Sequence, residues 1–262
     1  MKKNILFTLA LLLAIHTALA SVVIVNGLTH VYTGSMGQTI QGEIVLVNSS
    51  NEEQRVTFSL SEAIYSCTTN RVFTNEVSHS RSSISWFDGS LMDRVLAPKE
   101  EYVYRFSIKI PKDESLKGSF WSNLMIGIEK PIREEKLNQH LGLSTKIRYA
   151  VGLLTHVKRF EEVQLDFKDL QVNELTEEHK ELHVQIGNET LFVEGVKLSL
   201  EVYNTAGEKI LVTTTDRNMV FPGYCRAFKM NISELPKGAY ECILIAEARE
   251  KFIGTNVSLT IE

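Results

Sequence analysis

The sequence predicts an all-β protein: two tandem immunoglobulin-like β-sandwich domains after a cleaved signal peptide. Three observations carry this. Stretches of apolar/polar alternation recur about every 8–12 residues, with turn residues between them. No amphipathic helical period of any length interrupts them. The chain of 262 residues, less a leader of twenty, is long enough for two domains of about 100–150 residues each.

The leader is residues 1–20. Lys2 and Lys3 precede an apolar run from Ile5 to Ile15, and Ala18-Leu19-Ala20 places small residues where signal peptidase inspects them. Cleavage is expected before Ser21. The apolar run is shorter than the ~20 residues that span a bilayer, no Cys stands at the cleavage site to carry a lipid, and no later segment is apolar enough to span. The expectation is an exported protein, in the periplasm or at the cell surface, that does not span the membrane. Of 28 basic residues two lie in the leader, so the remainder carries a formal charge of −6 against 32 acidic residues. That balance argues against nucleic acid as a partner.

The first domain, 21–156, reads as strands from its start. Val22–Tyr32 is expected as one strand. Thr39–Val47 alternates and stops at the polar turn Asn48-Ser49-Ser50-Asn51. Gln54–Ala63 carries Val56, Phe58 and Leu60 on one face, and Ser83–Phe87 is a short strand. Ala97-Pro98-Lys99-Glu100 turns into Tyr102–Ile110, where Tyr102, Tyr104, Phe106, Ile108 and Ile110 share a face and Pro111 ends the strand. Ser119–Glu129 is apolar on both faces and therefore central. Residues 51–54 and 134–140 are expected as loops or short helical turns. The last strand lies in Leu137–Val157. There Leu141, Leu143, Thr145, Ile147, Tyr149 and Val151 alternate with a row that carries Lys146 and Arg148 and no acid.

The second domain, 157–262, repeats this grammar. Val163–Val172, Leu182–Ile186, Val196–Tyr203, Lys209–Thr215, Arg226–Ile232 and Thr255–Ile261 are expected strands, with Asn204-Thr205-Ala206-Gly207 as a hairpin-type turn. In Leu235-Pro236-Lys237-Gly238-Ala239-Tyr240-Glu241-Cys242 a Tyr stands two residues before a Cys. This is the tyrosine corner at the start of strand F in such sandwiches. The candidate B strand has no Cys, so the usual B–F disulfide is absent. Cys67, Cys225 and Cys242 are an odd set, which leaves at least one thiol unpaired. Cys242 reads as a buried thiol, with a Cys225–Cys242 bond as the alternative.

Chemistry-bearing motifs are sparse. His179 and His183 would share one face of a helix at metal-ligand spacing, but on a strand they stand roughly 13 Å apart, too far for one ion. There is no Gly-x-Ser-x-Gly, no Gly-rich phosphate loop and no Cys with an evident His partner, so no catalytic residue, metal or cofactor is expected, and binding is the default. The pairs Trp86-Phe87 and Phe120-Trp121 read as core. A stacking platform for carbohydrate or peptide would need Trp86 or Trp121 exposed. The sequons at Asn48, Asn188, Asn231 and Asn256 read as chance.

Two family resemblances follow from particular stretches. Ser119-Phe120-Trp121-Ser122-Asn123, then Pro131–Asn138, then Leu141-x-Leu143-x-Thr145-Lys146-Ile147-Arg148-Tyr149, resemble the end of the first domain of the PapD-like periplasmic chaperones of the usher pilus pathway. That resemblance implies two Ig-like domains at an angle. It also implies that the last strand of the first domain lends apolar residues to an incomplete pilus subunit. The donors would be Leu141, Leu143 and Ile147, with Leu137 as a further candidate. The strand-G cation that holds the subunit's terminal carboxylate in the cleft would be Arg148, with Lys146 beside it. Gly37–Asn48, Leu96–Glu100 and Ile110-Pro111-Lys112 through Gly118-Ser119-Phe120 are similar to the WxL-interacting proteins, cell-surface proteins whose first Ig-like domain is associated with peptidoglycan. The leading expectation is a non-enzymatic, chaperone-like factor in assembling fimbriae or surface fibres by strand donation, with a pilus subunit or surface adhesin as partner. The alternative is a cell-envelope adaptor binding glycan or an adhesin.

Overall fold

A computed structural model describes residues 21–67, 70–129, 146–176 and 179–261. They form eighteen strands and one 3-10 turn, arranged as two Ig-like sandwiches in tandem. The first 20 residues, Leu141 and Leu143 lie outside the described residues.

The first sandwich packs two sheets face to face. One has the order β1 (Val22–Ile24), β3 (Thr39–Asn48), β8 (Glu101–Lys109), β6 (Phe87–Gly89). The other has the order β2 (Thr29–Gly34), β10 (Ile147–Val157), β9 (Gly118–Glu129), β4 (Gln54–Ser66), β5 (Asn70–Thr74), with β7 (Arg94–Leu96) also pairing β4. The alternating rows meet as expected: Ile44 and Leu46, Val56 and Phe58, Tyr104, Phe106 and Ile108, and Leu124, Ile126 and Ile128 form one buried cluster. Each such side chain contributes about 1.5–3 kcal/mol by leaving water.

Val22–Tyr32 is not one strand. The chain pairs with β3 through Ile24, turns at Asn26-Gly27, and reappears as β2 in the opposite sheet, parallel to β10. Gly27 has φ +93°, a conformation a side chain would disfavour. Asn26 holds the crossing by donating Nδ2–H to Glu43 O and accepting from Val45 N–H. The Ser83–Phe87 segment also differs: Ile84–Trp86 is the 3-10 turn, and a strand begins only at Phe87. The short strands β5 and β7 lack an alternating row long enough to show in the sequence.

The second sandwich pairs the sheet β11 (Leu165–Thr176), β12 (His179–Asn188), β16 (Cys225–Asn231) with the sheet β14 (Lys209–Thr214), β13 (Glu194–Tyr203), β17 (Gly238–Ala248), β18 (Lys251–Ile261), and β15 (Asn218–Val220) joins β13. Its core gathers Leu182, Val184 and Ile186 against Leu198, Leu200, Val202 and Leu244. The tyrosine corner forms: the Tyr240 hydroxyl donates to Pro236 O at 2.8 Å. Cys242 is buried, and burial pushes its thiol up to about 11.

Between the sandwiches lies a third cluster: Ala63, Trp121 and Leu154 from the outer face of the first, against Val193 and Phe221 from the second. Tyr65 stacks on Phe221 at 3.7 Å between ring centres. The Ser119 hydroxyl accepts from Val193 N–H at 2.8 Å, and Ser119 N–H donates to Leu191 O.

Candidate functional site: an open strand edge and an interunit cleft

The first feature is β10. It pairs with β9 along its whole length, Ile147↔Ile128 through Val157↔Gly118. On its other side β2 accompanies it only from Gly152 to Val157. Gly152 N–H donates to Leu28 O at 2.9 Å. By the two-residue period of a strand, the backbone N–H and C=O of Arg148 and Ala150 point to that same side. No strand pairs with Ile147–Val151 there among the described residues. Among the described residues this half of β10 is thus an open sheet edge.

The side chains on this edge are placed as follows. Ile147 and Tyr149 face inward, half-buried against the first core, and the Tyr149 hydroxyl donates to Val22 O at 2.9 Å. Lys146 and Arg148 are exposed. Lys146 Nζ pairs with Glu129 Oε1 at 2.9 Å. Arg148 has no ion-pair partner among the described residues. Leu141 and Leu143, the expected donors, lie outside the described residues.

The second feature is a cleft of about 410 Å³ where the sandwiches meet. Gly152–Leu154 of β10, Trp121 and Asn123 of β9 and Tyr65 of β4 form one wall, and Met219, Phe221 and Arg226 of the second sandwich form the other. Neither Lys146 nor Arg148 lines it. Arg148 stands four residues before Gly152, roughly 13 Å along the strand. Among the described residues the cations that do line it are Arg71, Arg217 and Arg226, and no Asp or Glu does.

A disulfide between Cys67 and Cys225 ties the two sides of this cleft, with their Cα atoms 5.1 Å apart. This corrects the Cys225–Cys242 alternative. Cys242 points into the second core, whereas Cys225 opens β16 on the side facing the first sandwich. The pairing spans 158 residues, a separation at which sequence spacing gives no signal.

Other sequence features resolve as structure. Trp86 is 5 % exposed in the first core and Trp121 is 2 % exposed between the sandwiches, so neither offers a stacking platform. His179 and His183 lie on β12 and flank one carboxylate, Glu181, at 3.3 and 2.8 Å. Asn48 and Asn188 are fully buried. Asn188 Nδ2–H donates to Phe192 O and Val220 O, and its Oδ1 accepts from the Thr190 N–H and hydroxyl. His156 is buried against Ser119 Oγ at 2.8 Å from Nδ1, and burial, with Arg249 nearby, holds its pKa below the ordinary histidine range.

No protein-family profile matches the chain, and no curated protein sequence matches it. Solved structures do. The class 5 fimbriae chaperone CfaA shares 13% identity over 92% of this chain and 100% of its own, with a TM-score of 0.49. The SafB chaperone of Salmonella enterica, in complex with the SafA pilin, shares 12% over 94% and 98%, at 0.45. The E. coli chaperone DraB shares 10% over 92% and 97%, at 0.43. Across most of its length the chain is similar to chaperones of fimbriae and pili.

Proposed function

We propose that this chain is an exported, non-enzymatic chaperone-like factor that captures an incomplete subunit of a surface fibre by β-strand addition, with its two domains meeting between His156 and Val157. The observation that carries the reading is the open edge of β10 at Ile147–Val151. An unpartnered row of backbone donors and acceptors is a template for another strand. The alternation that begins at Leu141 supplies apolar side chains along the same direction, so Leu141 and Leu143 are the donors, continued by Ile147. Arg148, exposed and without a carboxylate partner among the described residues, is the anchor for a carboxylate of the captured subunit, with Lys146 beside it. The Cys67–Cys225 disulfide supports export, since such bonds persist in oxidising compartments.

The test is capture of a fibre subunit encoded beside this protein. Leu141→Glu and Leu143→Glu should leave the free protein folded, with unchanged melting temperature, and abolish the complex on size exclusion. Retained capture by both variants would remove strand donation as the mechanism.

A further inference from the structure

We propose that the outer edge of β18 is a self-association surface, on which a second copy of this chain lays its own β18 antiparallel about a twofold axis at Asn256. The pairing joins the sheets of two second sandwiches into one. It does not rest on strand capture, because β18 and β10 belong to different sandwiches.

β18 ends its sheet and pairs with β17 without a break, from Ala248↔Lys251 to Gly238↔Ile261. Arg249 and Glu250 make the two-residue turn between the strands, with φ 43° and 64°. Such a hairpin closes on a hydrogen-bonded pair, here Ala248 and Lys251. By the two-residue period, Phe252, Gly254, Asn256, Ser258 and Thr260 therefore turn their backbone N–H and C=O groups away from β17. No strand pairs with them on that side among the described residues. All five are exposed with the first sandwich in place.

Free edges are ordinarily blunted by charge, proline or a bulge. The other edges of the second sandwich follow this. β11 carries Asp166, Lys168 and Asp169 and a bulge between Phe167 and Asp169, β16 carries Arg226 and Lys229, and β14 is short and opens with Lys209. From Phe252 to Ile261, β18 has no charge, no proline and no shift of register. A strand with charges would bring them to this seam with no counter-charge to meet, whereas a second β18 matches it. About an axis at Asn256, Phe252 faces the partner's Thr260, Gly254 faces the partner's Ser258 and Asn256 faces the partner's Asn256. Every free backbone group of both edges then finds a partner. On the inner face Ile253, half-buried at the rim of the core, meets the partner's Leu259, and Thr255 meets the partner's Val257. On the outer face Phe252, 71 % exposed, gains an aromatic pair with a β-branched residue.

A single strand pair is a small interface, so the dimer should be weak and depend on concentration. Sedimentation of the oxidised mature chain across a concentration series should show a reversible monomer–dimer equilibrium. Asn256→Lys and Asn256→Glu each set like charges opposite one another and should each weaken the dimer about tenfold. Neither should lower the melting temperature, since Asn256 is exposed. An equimolar mixture of the two should recover the dimer. Asn256→Pro removes only an outward N–H, so it should abolish pairing and leave the β17 ladder intact. Asn256→Cys should give a disulfide-linked dimer on a non-reducing gel, because the facing Cα atoms of such a pair stand about 5.5 Å apart. Ser258→Cys, offset from its own copy by roughly 13 Å along the strand, should not. The natural cysteines do not interfere: Cys67 is bonded to Cys225, and Cys242 is buried. Leu143→Glu should dimerise as the wild type does, and loss of the dimer in that variant would place the contact at β10 and overturn the proposal. So would a chain that stays monomeric, a dimer unaffected by both Asn256→Lys and Asn256→Pro, or a mixture of the two charge variants that fails to recover it.

Discussion

Single side chains do work here that their residue types do not announce. Asn48 closes β3 and Asn188 closes β12, and each is pinned by a hydroxyl residue two positions on, Ser50 or Thr190. Their side-chain N–H groups satisfy buried carbonyls, so Asn188→Ala should cost about 1–3 kcal/mol by removing the side-chain donor to Val220 O, while Phe192 O keeps the Thr190 hydroxyl. Urea denaturation measures this, and an unshifted midpoint would refute it. Glu194 is fully buried and accepts from Arg249 at 2.8 and 2.6 Å. Arg249→Met strands that carboxylate and should cost about 3–5 kcal/mol, read in the same assay. His156 gives a pH dependence. Its folded pKa lies below the unfolded value of 6.5, so its contribution is present above pH 6.5 and is lost as pH falls through the folded value. The melting temperature should decline below pH 6.5, and His156→Gln should reduce that decline, leaving the part due to His79. The His79 pKa is also lowered by burial, against the opposing pull of Glu62.

At the scale of elements β10 carries the proposed strand addition. Under that proposal Leu141 serves a partner rather than the core, whereas a core leucine replaced by alanine costs about 2–5 kcal/mol. Val151 and Leu153, deeper in β10, are core residues, so Leu153→Ala should lower stability by that amount and Leu141→Ala should not. Thermal melts of the two variants side by side decide it. Arg148→Ala should weaken subunit capture, and the effect should shrink between low and high salt, because an exposed ion pair is screened. Equal weakening at both salt concentrations would mean that Arg148 acts by packing. Among the described residues Ile147–Val151 of β10 has no strand beside it on that side, because the first strand of the chain leaves its sheet at Gly27. β2 reaches β10 only at Gly152, and β1 serves the opposite sheet.

For the whole molecule the consequence is a covalent clamp between two sandwiches. The connection after Val157 is exposed from Lys158 to Phe160, so limited trypsin digestion should cut there. The two fragments should stay together on a non-reducing gel and separate on reduction, because Cys67 and Cys225 lie on opposite sides of the cut. Fragments that separate without reductant would refute the pairing. Replacing both cysteines by serine should lower stability by about 2–4 kcal/mol, less any independent stability of each sandwich.

Local pattern determined the strands and their class. A period of two is written in side-chain order, so Thr39–Val47, Tyr102–Ile110 and Ser119–Glu129 were legible with their buried faces, and the tyrosine corner was legible because its partners are four residues apart. The candidate site was legible only as a strand with two cations, Lys146 and Arg148. Which stretch of that strand pairs with β2, the splitting of Val22–Tyr32 and the bond from Cys67 to Cys225 were decided by tertiary structure. Each depends on residues tens to more than a hundred positions apart, and such meetings are fixed by how two whole sandwiches fold and pack. Composition and periodicity within a stretch carry no trace of them.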